Sequence, residues 1–259
     1  MSEKNKDWFW PWTLSAGVLL IAGGIGLYLL RDEAPAPASV ATVSPPAATA
    51  TAPLTAPVAT TPLPRTLPLP PLDESDADML GALTELFGQE AVTQFLVPDR
   101  LVRNIVVTID NVPRQMAVNQ RPIKPTAGEF ITTGPEDALV LAPENYARYA
   151  PFISLVRAID AKTLVSLYRG LQPLFQQAYE ELGHPSAVFN DRLIEVIEHL
   201  QATPNVRDEI RLVQPSVLYR YADEQLEKLS AGQKLLIRMG PQNAAVIKAK
   251  LREIQAELS

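Results

Sequence analysis

His184 and His199 are the only imidazoles in the sequence, so any proton transfer through imidazole near neutral pH must use one of them. His199 has the more suggestive setting. Asp191, Glu195 and His199 recur at intervals of four, which on a helix puts two carboxylates and an imidazole on one face. Such a face could hold a divalent metal or set an acid beside a base. A metal site takes a third or fourth ligand from elsewhere, and none announces itself nearby. The same spacing describes a solvated face with a Glu–His pair, and that is the preferred reading. His184 lies between Gly183 and Pro185, a helix-ending position where a cation complements the dipole, so capping is preferred there to catalysis.

A second chemistry is recognition. Asn145, Tyr146, Arg148 and Tyr149 in one segment, and Tyr219, Arg220 and Tyr221 in another, interleave planar cations with aromatics. That arrangement suits stacking and bidentate capture of carboxylates such as those of peptidoglycan stem peptides. The tyrosines fit partly buried packing with satisfied hydroxyls equally well, and packing is favoured. Cysteine is absent, which removes thiolate catalysis, disulfides and Cys-based metal sites together. Ser166, Ser186 and Ser230 have no Gly-x-Ser-x-Gly elbow around them. There is no Walker A loop, no dinucleotide fingerprint and no His-Glu-x-x-His motif, so the sequence implies no cofactor and no metal.

The elements that must position these residues are mostly helical. Asp73 or Ser75 can cap a first helix whose apolar positions Leu80, Leu83, Leu86 and Phe87 recur at helical spacing up to Gly88. A short second helix follows, through Phe95. From Leu101 to Val112 the apolar residues repeat at three and four, which predicts a helix although their β-branched content favours a strand. Five prolines between 113 and 143 exclude long helices there, and Glu129–Thr133 with Ala138–Leu141 bracket a Gly-Pro-Glu-Asp turn as a hairpin does. Helices are then expected over Tyr146–Ile159, Ala161–Leu182 and Asp191–Gln201, with a strand at Ile210–Val213. Ser230 caps a further helix, and Gly240-Pro241 separates it from the last one. The fold class is mostly α with a small β element.

Ahead of this domain, expected over residues 73–259, stand three unlike segments. Residues 1–7 carry Lys4 and Lys6. Trp8–Leu30 holds 23 residues without a charge, enough for one transmembrane helix, with Trp8, Trp10 and Trp12 at one end and Tyr28 near the other, as interfacial belts place them. Two lysines and the free amino terminus precede the span, only Arg31 follows it directly, and the next 33 residues contain neither Lys nor Arg. That bias puts residues 1–7 in the cytoplasm and the domain outside it. A cleaved signal peptide ending near Ala38 is the rival reading, disfavoured by the length of the apolar run and the prolines beyond it. Residues 31–72 form a Pro/Ala/Thr-rich tether with 11 of the chain's 24 prolines, too poor in bulky apolar side chains to offset the entropy of folding. The net charge of -6 belongs to the domain, because residues 1–72 carry equal numbers of each sign. It leaves no basic surface for nucleic acid.

The segments Asp110-Asn111-Val112-Pro113-Arg114, Asn145-Tyr146-Ala147-Arg148-Tyr149, Pro173-Leu174-Phe175-Gln176-Gln177-Ala178-Tyr179, Phe189-Asn190-Asp191-Arg192 and Ser230-Ala231-Gly232-Gln233-Lys234 resemble a bacterial family known as domain of unknown function 3014. The resemblance spans the soluble part. It implies a bacterial envelope protein and brings no activity, ligand or catalytic residue with it. Together with the topology it leads to an expected single-pass protein of the bacterial inner membrane. Its periplasmic helical domain would dock an envelope protein or peptidoglycan rather than catalyse a reaction. The alternative is a carboxylate-based envelope hydrolase.

Overall fold

A computed structural model describes residues 69–115, 122–124, 130–135, 137–215 and 219–259. The apolar segment Trp8–Leu30 and the tether as far as Pro68 lie outside them. Among the described residues no helix is long and apolar enough to cross a membrane. Leu72, by composition the last tether residue, is buried and starts a 3-10 turn (Leu72–Glu74).

The helices are α1 (Asp76–Phe87), α2 (Gln89–Phe95), α3 (Leu101–Asn111), α4 (Glu144–Ala147), α5 (Ala150–Ala158), α6 (Ala161–Glu181), α7 (Phe189–Gln201), α8 (Glu224–Glu227), α9 (Ala231–Arg238) and α10 (Pro241–Leu258). The strands are β1 (Thr132–Thr133), β2 (Leu139–Leu141), β3 (Arg211–Val213) and β4 (Arg220–Tyr221). Mostly α with a small β element is therefore the architecture. Helices α6 and α7 each pack against both α3 and α10, while α1 lies on α2 and α3, and α5 and α9 lie on α10.

Helix α3 shows why spacing outweighs propensity. Each β-branched residue costs roughly 0.5 kcal/mol against alanine in a helix, but full burial of a Val or Ile contributes about 2 kcal/mol. Val102, Ile105, Val106 and Ile109 are all buried, so packing decides the conformation. The expected helix over Tyr146–Ile159 is instead two pieces, α4 and α5. Pro151, in the first turn of α5, has no N–H to give the carbonyl four residues back, so a continuous helix would lose a bond at that point. Pro173 inside α6 is tolerated because Leu171, Leu174 and Phe175 around it are all buried.

The hairpin lies where the turn residues put it, although Glu129 is outside the described residues. Thr132 faces Leu141 and Thr133 faces Val140. Gly134 has φ 91° and lies so close to the Ala138 carbonyl that a Cβ would sit 2.4 Å from its oxygen, so the turn demands glycine. The sheet is antiparallel throughout in the order β1-β2-β3-β4. Leu141, Leu212 and Tyr221 turn inward with Ile210 and Ile237 into a second, smaller apolar cluster.

Ser75 precedes α1 but does not cap it. Its backbone is already helical at φ -75° and ψ -12°, which aims the side chain away from the free N–H groups, and its hydroxyl donates to the Leu72 carbonyl at 2.8 Å. Asp76 caps a different helix. Its two carboxylate oxygens accept the Arg100 and Leu101 N–H groups, each at 2.7 Å, at the start of α3. Arg100 there holds a left-handed φ of 45°. Asp76→Ala is expected to destabilise the protein by about 1–2 kcal/mol, read as a lower urea midpoint with unchanged slope. An unchanged midpoint would show that water serves those N–H groups as well as the carboxylate does.

Candidate functional site

Three of the five family-like segments meet at the C-terminal end of α3. Asp110 occupies the helical stripe of Val102 and Val106 four and eight residues on, so its carboxylate is carried into the interior, with 4% of its side chain exposed. A buried carboxylate near a helix C-terminus is doubly unfavourable, through lost hydration and through the dipole. Two arginines offset this. Arg114 donates from Nη2 to Oδ2 at 2.8 Å, and Arg192 of α7 donates from Nε to Oδ1 at 3.1 Å. Arg192 also donates from Nη2 to the Asp110 carbonyl at 2.8 Å, serving a last-turn oxygen of α3, and from Nη1 to Glu195 at 3.0 Å. His184 stands beside them, its Nε2 3.8 Å from Asp110 Oδ2 and its ring stacked on Tyr179 at 4.5 Å between centroids.

The segment that opens α9 closes on the same place. Ser230 caps the helix, its Oγ accepting the Gln233 N–H at 3.2 Å in a reciprocal capping box. Ala231 N–H donates to the Arg114 carbonyl at 2.7 Å and Gly232 N–H to the Val112 carbonyl at 3.2 Å. A Cβ at position 232 would lie 2.6 Å from Val112 Cγ1 and 2.8 Å from Leu200 Cδ2, so only glycine lets α9 approach this closely. Ser230 Oγ is also 2.8 Å from His199 Nε2, and Gln233 donates to the His199 carbonyl at 3.2 Å. Since Oγ already accepts from Gln233, its own proton is available to a neutral imidazole protonated at Nδ1. The His199 pKa is indeed held below its ordinary value, by burial first and by the nearby Arg192 charge second. A Ser–His contact of this length resembles the first half of a nucleophilic dyad. Ser230, however, is buried and caps a helix.

The remaining segments brace neighbouring joints. Gln176 of α6 accepts the Phe189 N–H at 2.8 Å and donates to the Ala187 carbonyl at 2.9 Å, capping α7 from outside. Phe189 is fully buried among the rings of Tyr168, Phe175 and Tyr179 at 5.5 to 6.5 Å. Asn145 binds the Ile131 backbone through both side-chain groups, at 3.0 and 2.6 Å, and donates to Ala142 O at 2.8 Å, fastening α4 to the residue before β1.

The structure therefore separates the residues singled out by sequence. Asp191 and Glu195 are exposed on α7 and His199 is half-buried. Glu195 is turned to Arg192 and His199 to Ser230. Among the described residues no three His, Asp or Glu side chains are grouped to hold a metal ion. Tyr146, Tyr219 and Tyr221 join the cluster behind the sheet, whereas Arg220 is exposed. Tyr221 donates to the Lys234 carbonyl at 3.1 Å, and burial pushes its phenol up to about 12. Tyr149 is buried, which raises its pKa, and Arg148 reaches Asn145 Oδ1 at 3.4 Å. Arg238, buried 5.4 Å from the centre of the Tyr221 ring, completes that group. Sequence reasoning missed Asp110 as the charged centre. The available signal was a carboxylate on the otherwise apolar stripe of α3, which demands a cation from elsewhere in the fold.

The fold and this junction define a helical domain whose polar motifs lock three helix ends together. The chain belongs to the family described as protein of unknown function (DUF3014), whose model matches residues 101–255. No curated protein and no solved structure matches it.

The side chains of Asp110, Arg192 and Arg114 are 4%, 22% and 59% exposed. Asp110→Ala strands a half-shielded arginine and is expected to cost about 3 kcal/mol in urea denaturation. Arg114→Ala is expected to cost less, about 1–2 kcal/mol, because Asp110 Oδ2 loses a donor while Arg192 still holds the carboxylate. Equal losses for both would sink this ordering. His199 gives a pH signature. Its folded pKa lies below the unfolded value of about 6.5, so the unfolded chain binds more protons between the two values. Its contribution to stability is intact above about pH 6.5 and falls away as pH drops through that window. In His199→Gln the melting temperature should fall less from pH 7 to 5 than in the natural protein. Parallel curves would refute the assignment.

Proposed function

We propose that this chain is a single-pass inner-membrane protein that holds its helical domain on the extracytoplasmic side, where the domain docks an envelope protein or a cell-wall component. The single observation that carries the docking half is how the motif side chains are used. Asp110, Arg192, Ser230 and His199 all direct polar atoms at one another or at backbone groups. Residues with chemical capacity are thereby occupied in holding helix ends together, as suits a rigid scaffold that presents a surface. The display half rests on the sequence: the 23 uncharged residues Trp8–Leu30 with their aromatic flanks and the Pro-rich tether behind them. At ~3.1 Å per residue, an extended tether of about 40 residues reaches roughly 120 Å.

A hydrolase using Asp191 and Glu195 would need the two carboxylates on either side of a cleft. Both lie on one exposed helix face, and Glu195 is bound to Arg192. That arrangement favours docking over hydrolysis.

Fractionation of cells expressing the full chain is expected to leave it entirely in sedimented inner-membrane vesicles. Protease added to spheroplasts should remove the domain while sparing the cytoplasmic residues 1–7. Recovery in the cytosolic supernatant would overturn the display half. For the docking half, cross-linking in intact cells should capture one envelope component in constant proportion. A chain that captures none, yet turns over peptidoglycan fragments and loses that turnover in Glu195→Gln, would reverse the reading.

A further inference from the structure

A cleft of about 170 Å³ opens between the loop after α7, the second half of α9 and the stretch of α10 from Pro241 to Arg252. Its floor is apolar: Leu236 and Ile237, both buried, with half-buried Val206. Its α10 wall carries Ala244, Lys248 and Arg252. The last two are four residues apart and therefore neighbours on the helix surface.

The two cations are not neutralised within the fold. Neither lies within ion-pair distance of a carboxylate among the described residues, although Lys250 and Glu253 on the same helix do pair. Lys248 donates to the Thr203 carbonyl, which pins the ammonium beside the end of α7 and leaves two of its three N–H donors for another acceptor. Like charges at this spacing disfavour a helix, and the domain around them is net acidic. A negative group set between the two side chains would relieve that repulsion.

From this juxtaposition of two cations without a carboxylate partner over an apolar floor we propose that the cleft binds a small organic carboxylate with a short aliphatic body. The carboxylate lies between Lys248 and Arg252, and the aliphatic part rests on Leu236, Ile237 and Val206. The size fits, since a cavity of about 150 Å³ takes a benzene ring and this one accepts about six to eight non-hydrogen atoms. The charge fits a monoanion better than a phosphate, whose second charge and larger hydration shell would be set against an apolar floor. The same chemistry comes from a free short-chain acid or from the last residue of a peptide ending in a small apolar side chain. The inference does not depend on membrane display or on a docking partner.

Burial and the Arg252 charge both hold the Lys248 pKa below its ordinary value. A bound carboxylate raises it again, so binding should weaken as pH rises through the alkaline range where the free Lys248 loses its proton.

The test is calorimetric titration of the full-length chain in detergent with 4-methylpentanoate and with N-acetyl-alanyl-alanine, each against its primary amide, and with inorganic phosphate. Saturable binding of at least one acid is expected, roughly tenfold or more tighter than its amide and than phosphate; the tighter of the two acids identifies the source. The double substitution Lys248→Gln and Arg252→Gln should abolish binding. Ala245→Leu, at an exposed lining position, should do the same by filling the cleft with both cations in place, while circular dichroism stays that of the natural protein. Amides or phosphate binding as well as the acids, unchanged binding in either variant, or no binding of either acid up to about 10 mM would each overturn the proposal.

Discussion

A carboxylate taken out of water at the wrong end of a helix is the constraint on which this fold turns. Asp110 is buried where the α3 dipole is negative, and it becomes tolerable only when cations arrive from outside the helix's own interior face. Arg114 comes from four residues down the chain and Arg192 from α7. Because Arg192 also serves the Asp110 carbonyl, the requirement of one buried charge fixes the register of α3 against α7. The backbone just beyond, at Val112 and Arg114, is then held in place to receive the start of α9. A buried ion pair of this kind is a poor source of net stability. Its effect is to penalise every packing in which the partners do not meet.

The same logic recurs at the helix starts. Helix α3 is capped by Asp76 from α1, and α7 by Gln176 from α6. A local cap stabilises its own helix in any context, whereas a cap supplied by another helix acts only when the two are correctly docked. Secondary and tertiary structure are thereby made to form together. The aromatic cluster of Tyr168, Phe175, Tyr179 and Phe189 sits beneath the α6–α7 joint, so apolar burial and polar satisfaction reward the same arrangement.

A polar group of the family-like segments can stand at a catalytic distance from another and still be used for packing. Ser230 and His199 lie 2.8 Å apart, a distance at which a serine hydrolase would hold its nucleophile and base. Here the serine is a buried helix cap and the imidazole a support for it. Distances between reactive groups acquire catalytic meaning only with access for a substrate and a third group to orient the base. The cleft beside Lys248 and Arg252 is the reverse case: chemically ordinary residues, outside the recognisable segments, whose charges meet no carboxylate among the described residues.

Much of the architecture was legible in the residues alone because its causes are local. Helical spacing in Leu101–Asn111 needs no knowledge of the partner helix, Gly134 follows from the turn it makes, and the Ser230 cap lies three residues from the N–H it accepts. The uncharged run Trp8–Leu30 and the Pro-rich stretch after it are likewise properties of composition. What only the tertiary structure decided is which polar groups meet. Asp110 and Arg192 are 82 residues apart in the chain, His199 and Ser230 are 31 apart, and Lys248 and Thr203 are 45 apart. The period-of-four face Asp191, Glu195, His199 draws attention as a candidate site, with a solvated Glu–His pair as the preferred reading, because periodicity reports the neighbours within one helix. In the fold Asp191 and Glu195 stay exposed, Glu195 pairs with Arg192 on the same helix, and only His199 is claimed by a group from another helix, Ser230, which no pattern within α7 encodes.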